Sequence, residues 1–334
     1  MSISAKELAQ KLHISQSTVS MVLNNKPGIS EKTRALVLDA ANEYGYDFSK
    51  HIDASPTKGQ IQFVAYKKHG MIVEDTPFWL TEGVESGCKK AGYELLVTYF
   101  HEDDNIDEQI QLLASKNCSG ILLLGTELDA QYFQPFSKLH IPIVILDTYF
   151  EGISCDCVLI NNVGGAYAAT SYLFDHGFST IGYLHSSYSI GNFEERADGY
   201  YKALRHHGVS FDHPYTHLLK PSLDGAYHDM KLLLENGLKP VPAYFADNDL
   251  IAAGTVRALK EYGYRIPEDI SIIGFDGSSI GNVLDPPLTS MEVPRSRLGE
   301  LAVERLIQKI TLQDETITKT EVAPKLIERK SVSL

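Results

Sequence analysis

Two sets of residues in this 334-residue chain stand out by type and spacing. Gln16, Ser17, Thr18 and Ser20 are short hydrogen-bonding side chains at the start of a segment whose other positions, Val19, Val22 and Leu23, are apolar. On a helix this buries one face and offers the other as a row of donors and acceptors, the form in which proteins read base edges in a major groove. The second set is Phe78, Trp79, Asp147, Arg196, Asn248 and Asp276. Flat rings stack on the CH faces of a sugar, while two carboxylates, a guanidinium and an amide supply paired donors and acceptors for its hydroxyls. Each also has a plainer use: Phe78 and Trp79 can be core, and Asp147, Asn248 and Asp276 can cap turns or helices.

The first set needs a small helical scaffold, and the residues around it supply one. Ser4-Ala5-Lys6-Glu7 is a capping box that starts a helix carrying Leu8, Ala9 and Leu12 on one face. His13-Ile14 interrupts it, and Ser15 caps a second helix. A third begins at Ser30, runs through Leu36, Val37, Ala40 and Ala41, and stops at Gly45. The bland alternative is a three-helix knot with no use for DNA, and the exposed polar face of the second helix argues against it.

The second set needs a larger frame. Apolar runs at Ile61–Tyr66, Tyr93–Tyr99, Gly120–Leu124, Ile141–Leu146, Thr180–Leu184, Ala243–Ala246 and Ile270–Gly274 read as buried strands with helices between them. Such alternation predicts parallel sheets with right-handed crossovers, and a restart near Asn161–Gly165 predicts two similar lobes. Ligands bind such sheets beyond the carboxyl ends of the strands, where Asp147, Arg196, Asn248 and Asp276 fall.

Charge divides unevenly. The whole chain carries -13, but residues 1–60 hold seven Lys/Arg against six Asp/Glu, so the body carries -14 and the headpiece +1. A near-neutral headpiece can approach phosphate while an acidic body stays off the duplex. No stretch nears the roughly 18 apolar residues of a membrane span, and no signal-peptide pattern opens the chain, so a cytoplasmic protein is expected. Cys88, Cys118, Cys155 and Cys157 form no paired framework, which suits a reducing compartment and no metal.

The run Ser15 to Asn24 (SQSTVSMVLN), followed by Ile29 to Arg34 (ISEKTR), resembles the headpiece of the LacI/GalR repressor family. The resemblance implies that Gln16 and Ser17 read base edges while Ser4, Ser15, Thr18, Ser20, Asn24, Ser30 and Thr33 bond phosphates. Met21 stands where the family usually has Arg, so a guanine-reading fork is lost and Met21 is expected on a thymine methyl. Family members usually insert a leucine from a hinge helix into the minor groove; here 47–60 reads DFSKHIDASPTKGQ, without leucine and with Pro56. Ile52 as a substitute wedge and a flexible linker are both open.

In the body, Glu195–Tyr200, Asn248–Ala252, Ile266–Asp276 and Asp285–Ser290 resemble further family blocks, so the likeness spans essentially the whole chain. It implies a small all-α helix-turn-helix headpiece (1–47), a hinge or linker (48–60) and an α/β two-lobed domain of the periplasmic-binding-protein kind (61–334). The first lobe would take 61–160 and 292–317, the second 162–290 and 318–334. Arg196 and Asp276 become the central polar clamps, and Leu223 stands where relatives carry an aromatic wall.

No Walker loop, nucleophile elbow or zinc-helix motif is present, and His206, His207, His213 and His217 read as a solvated loop cluster, so neither an enzyme nor a cofactor is expected. The expectation is a DNA-binding transcriptional regulator, acting as a repressor of carbohydrate genes. Its partners would be operator DNA, a small sugar-type effector and a second copy of the chain, with no membrane. A purine effector, a protein corepressor and a solute receptor are the alternatives.

Overall fold

A computed structural model of the chain describes residues 3–23, 28–46, 57–68, 76–210 and 215–333, with 76–81 in backbone only. The chain divides into two units, Met1–Thr57 and Lys58–Leu334. In the first, α1 (Ala5–Lys11), α2 (Gln16–Leu23) and α3 (Glu31–Glu43) enclose a small core of Leu8, Ala9, Val19, Val22, Val37, Ala40 and Ala41. All three helices start on serine. Ser4 and Glu7 form the capping box, Ser15 Oγ accepts from the Thr18 amide at 3.0 Å, and Ser30 Oγ accepts from the Thr33 amide at 3.2 Å. The turn between α1 and α2 is tight enough to hold His13 at a φ of 51°.

The second unit carries two six-stranded sheets. The first has the order β11-β5-β4-β3-β1-β2 and is parallel throughout: β1 (Gln60–Lys67), β2 (Glu94–His101), β3 (Gly120–Leu124), β4 (Ile143–Leu146), β5 (Asp156–Ile160) and β11 (Lys319–Val322). The second has the order β12-β10-β9-β8-β6-β7, built from β6 (Ile181–Ser186), β7 (Thr216–Leu219), β8 (Ala243–Ala246), β9 (Ser271–Asp276), β10 (Thr289–Glu292) and an antiparallel β12 (Lys325–Ile327). The central strands are buried on both faces, as strands between two helical layers must be. In the first lobe α4 (Thr76–Ala91) and α12 (Arg295–Leu312) pack together on one side, while Leu113 of α5 (Ile106–Ser115) and Phe133 and Phe136 of α6 (Ala130–Ser137) join the other. In the second lobe α7 (Asn162–Asp175) pairs with α8 (Gly191–His206), and α9 (Leu223–Glu235) with α10 (Asp249–Glu261). A short α11 (Ile280–Val283) follows β9. Among the described residues no helix is long and apolar enough to cross a membrane.

Three sequence expectations are corrected. Lys319–Val322 pairs with β5 in the first sheet, so the first lobe takes its last strand from the segment 318–334 assigned to the second; only from 325 does the chain join the second sheet. A strand too short to announce itself by periodicity is placed by the edge it can complete. His217 lies not in a solvated loop but on β7, 9% exposed and beside the Tyr244 ring, because strand alternation turns His217 and Leu219 inward and Leu218 outward. His206 and His207 are exposed, and His213 lies outside the described residues. Arg196 does not open its helix: α8 starts at Gly191 and Arg196 stands in its second turn.

α12 is fastened to the first sheet by charge as well as by packing. Asp156, 2% exposed, accepts from Arg305 Nε and Lys309 Nζ at 2.6 Å and from the Thr318 amide and hydroxyl at 3.0 Å. Burial pushes its carboxyl up, but these donors outweigh it and leave the pKa below the ordinary value.

Candidate functional site

The helix-turn-helix places α2 with Val19 and Val22 buried and Gln16 and Ser17 exposed at its start. Thr18, Ser20 and Met21 are half-buried, so Gln16, Ser17, Ser20 and Met21 form one stripe, at spacings of one, four and five. α2 contains no charged residue. Of the residues implied to bond phosphate, Ser4, Ser15 and Ser30 spend their hydroxyl acceptors on helix caps, and Ser15 also meets Ser17 and Thr18 at 2.7 and 2.8 Å. A phosphate oxygen would therefore have to share these hydroxyls as donors. Thr33 meets Ser30 Oγ at 2.7 Å. Met21 is close enough to Gly28 that a Cβ there would touch its methyl at 3.7 Å. Asn24 and Ile52 lie outside the described residues.

In the body, the sheet orders give the two lobes matching positions: β4 stands third in one and β9 third in the other. Asp147 follows β4 and Asp276 ends β9, and both adopt positive φ, 66° and 100°. Asp tolerates such a backbone poorly outside the left-handed region, so Asp276 in particular is held there by its surroundings. Arg196 lies near them, 3% exposed. Its Nε donates to Asn162 Oδ1 at 3.0 Å, one terminal nitrogen to the Asp247 carbonyl at 2.5 Å, and the other to Asp276 Oδ1 at 3.0 Å. The guanidinium lies 3.8 Å from the centroid of the Phe275 ring. Buried cations persist only with this degree of pairing.

Asp147, 5% exposed, accepts on Oδ2 from Thr126 Oγ1 at 2.6 Å and from Asn192 Nδ2 at 3.1 Å. Thr126 belongs to the first lobe and Asn192 to α8 of the second, so this carboxyl is a meeting point of the lobes. Burial is the main influence on it, followed by the lowering effects of Thr126 and Arg196 and the raising charge of Asp276; its pKa rises to about 6. Asn248 is the N-cap of α10, its oxygen accepting from the Ile251 amide at 2.8 Å, the plainer of the two uses open to it. Leu223 is the first residue of α9 and half-buried. Phe78 and Trp79 lie in the first turn of α4, with side chains outside the described set.

Several participants carry no motif. Asp247, fully buried, accepts from Tyr183, from His185 Nδ1 at 2.7 Å and from the Ser186 amide at 2.7 Å. Burial opposes charge on His185, but the hydrogen bond and charge of Asp247 outweigh it and raise its pKa. Asp249, 1% exposed, accepts from Ser290 Oγ at 2.6 Å and from the Ser278 amide and hydroxyl at 2.6 and 2.9 Å. Burial and then the charge of Asp276 push its pKa up to about 7. Arg295, first residue of α12, feels the charges of Asp276, Asp249, Arg196 and Asp147. The tripeptide Asp247-Asn248-Asp249 after a fully apolar strand was a sequence signal for part of this set; nothing local marked Thr126, Asn162, Asn192 or Arg295.

A helix-turn-helix unit and a two-lobed α/β unit whose strand ends converge on a polar cleft define the class of ligand-responsive, DNA-binding regulators. Comparison with known proteins agrees. The profile of bacterial regulatory proteins of the lacI family matches residues 4–48, and that of the periplasmic binding protein-like domain matches 170–332. The chain is 30% identical over 335 residues to the HTH-type transcriptional repressor PurR of Mannheimia succiniciproducens, covering 98% of each, and 29% identical to the ribose operon repressor of Haemophilus influenzae, again over 98% of each. The fold matches that of a transcriptional regulator CelR–cellobiose complex at a TM-score of 0.73 and 23% identity, covering 98% of this chain and 99% of that one. It matches the lac repressor dimer bound to operator and an anti-inducer at 0.72 and 21%, covering 100% of each. This chain belongs to the lacI family of DNA-binding transcriptional regulators.

Proposed function

We propose that the chain is a repressor of carbohydrate genes that reads its operator with α2 and changes its affinity when a small polyhydroxyl effector occupies the cleft between the lobes. Gln16 and Ser17 read base edges, and Met21 packs on a thymine methyl. Ser4, Ser15, Thr18, Ser20, Asn24, Ser30 and Thr33 fix the register on phosphates. The observation that carries the effector reading is the pair of carboxylates at matching strand ends, Asp147 and Asp276, with the Arg196 guanidinium bonded to the latter. Such donors and acceptors pair with adjacent hydroxyls, with Asn248, Leu223, Phe78 and Trp79 completing the walls. The ribose operon repressor among the relatives, and the cellobiose and ribose held by regulators of the same fold, support a sugar over other small molecules. Two copies of the chain would present two copies of α2 to a two-fold operator, and the effector would shift lobe orientation with a coupling of roughly 1 to 3 kcal/mol.

A thermal-shift screen of the full chain against mono- and disaccharides, their phosphates and purine bases tests this. A ligand at about 100 times its dissociation constant adds roughly 2.7 kcal/mol. A sugar that raises the transition supports the reading; a purine that does so with no sugar response replaces it.

A further inference from the structure

Asn192 came to notice through no motif, yet both ends of its side chain are committed. It is 8% exposed; its amide nitrogen donates to Asp147 Oδ2 at 3.1 Å, and its amide oxygen accepts from Asn162 Nδ2 at 3.2 Å. Asn162, 1% exposed, opens α7 just after the chain crosses between lobes, and its own oxygen accepts from Arg196 Nε at 3.0 Å. The bonds run with one polarity: Arg196 donates to Asn162, Asn162 to Asn192, and Asn192 to Asp147. A donor chain that begins on a cation and ends on a carboxylate strengthens along its length, because each amide is polarised in the same sense. It crosses the cleft and links the groups assigned to the effector, since Arg196 also donates to Asp276.

Other contacts place the same two segments together. Glu195, one turn along α8 from Asn192, accepts from Asn162 at 2.9 Å and bonds the hydroxyl of Tyr149, two residues beyond Asp147. A Cβ at Gly191 would meet Thr148 Oγ1 at 3.6 Å, so the strand-end loop of one lobe rests on the first turn of α8 in the other.

We propose that Asn192 is a positioning residue that couples lobe orientation to the effector site by holding Asp147 across the cleft. The proposal rests on the effector reading above. An effector hydroxyl that donates to Asp147 Oδ2 replaces the Asn192 amide there and frees α8 from the first lobe, whereas one bound to the other carboxylate oxygen leaves the tie in place. Only a side chain that both donates and accepts can serve. Ala cuts the chain, and Asp turns the donor into a second carboxylate facing Asp147.

The test is solution scattering of the full chain without ligand, at about pH 8. Asn192→Asp and Asn192→Ala are expected to enlarge the radius of gyration. The exchange Asp147→Asn with Asn192→Asp is expected to restore the wild-type value, because the new amide at position 147 donates to the new carboxylate at position 192, which still accepts from Asn162. A role confined to general packing predicts no such rescue. An unchanged radius in both single variants, or an exchange variant as expanded as Asn192→Asp, overturns the proposal. If Asn192→Asp does not fold, Asn192→Ala and the exchange variant decide. Because no ligand is present, the result is independent of the sugar screen: rescue with no sugar response leaves the tie standing and removes the effector reading.

Discussion

Replacing Asp147 by Asn gives a stability change whose sign depends on pH. The carboxyl is 5% exposed, and burial, the largest influence on it, lifts its pKa from 3.8 to about 6 even though Thr126 and Arg196 pull the other way. For an acid whose folded pKa is raised, folding favours the protonated form. The contribution is fully present below the unfolded value of 3.8 and is lost as pH rises through about 6. Above that, ionised Asp147 costs roughly two pKa units at about 1.4 kcal/mol each, or about 3 kcal/mol. An amide has no proton to lose. Its oxygen, placed where Oδ2 stands, keeps both the Thr126 and Asn192 bonds, and Asn tolerates the φ of 66° as readily as Asp does. Asp147→Asn should therefore stabilise the ligand-free chain by up to about 3 kcal/mol at about pH 8, with the gain fading toward pH 4. At roughly 2 to 4 °C per kcal/mol, the upper limit is a rise in Tm of about 6 to 12 °C. Calorimetry of both proteins across this pH range measures it. An offset that does not vary with pH would refute the reasoning, because the carboxylate would then be as well solvated by its partners as it is by water.

Gln16→Ala should weaken operator binding by about 1 to 3 kcal/mol, the worth of one base contact, while leaving any ligand-induced thermal shift intact; anisotropy titrations on a selected operator show whether the two effects separate. Asp276→Ala should abolish the ligand response without lowering operator affinity in its absence, and an unchanged dissociation constant for the sugar found in the screen would remove Asp276 from the cleft's binding groups. Asp156→Ala strands Arg305 and Lys309 in a half-dry site and should cost about 3 to 5 kcal/mol in chemical denaturation. A loss below about 1 kcal/mol would mean that these cations find water instead.

The headpiece was largely legible in the sequence because its determinants are local. The capping serines, the apolar stripe of α2 and the stop of α3 at Gly45 act within a turn or two, and Gln16 and Ser17 are exposed simply because Val19 and Val22 are not. The body's parallel architecture was legible for a similar reason, since doubly covered strands must be continuous apolar runs, as Gly120–Leu124 and Ala243–Ala246 are. From that followed the carboxyl-end positions of Asp147, Asn248 and Asp276. Sequence did not determine which sheet a short terminal strand would join, and Lys319–Val322 went to the first because β5 offered it an edge. Nor could it pair Asp147 with Asn192, 45 residues away, or Arg196 with Asp276, 80 residues away. Caps and stripes are fixed by neighbours along the chain. A buried charge is fixed by whichever distant groups can satisfy it once water has been removed, and only the packed tertiary structure chooses those partners.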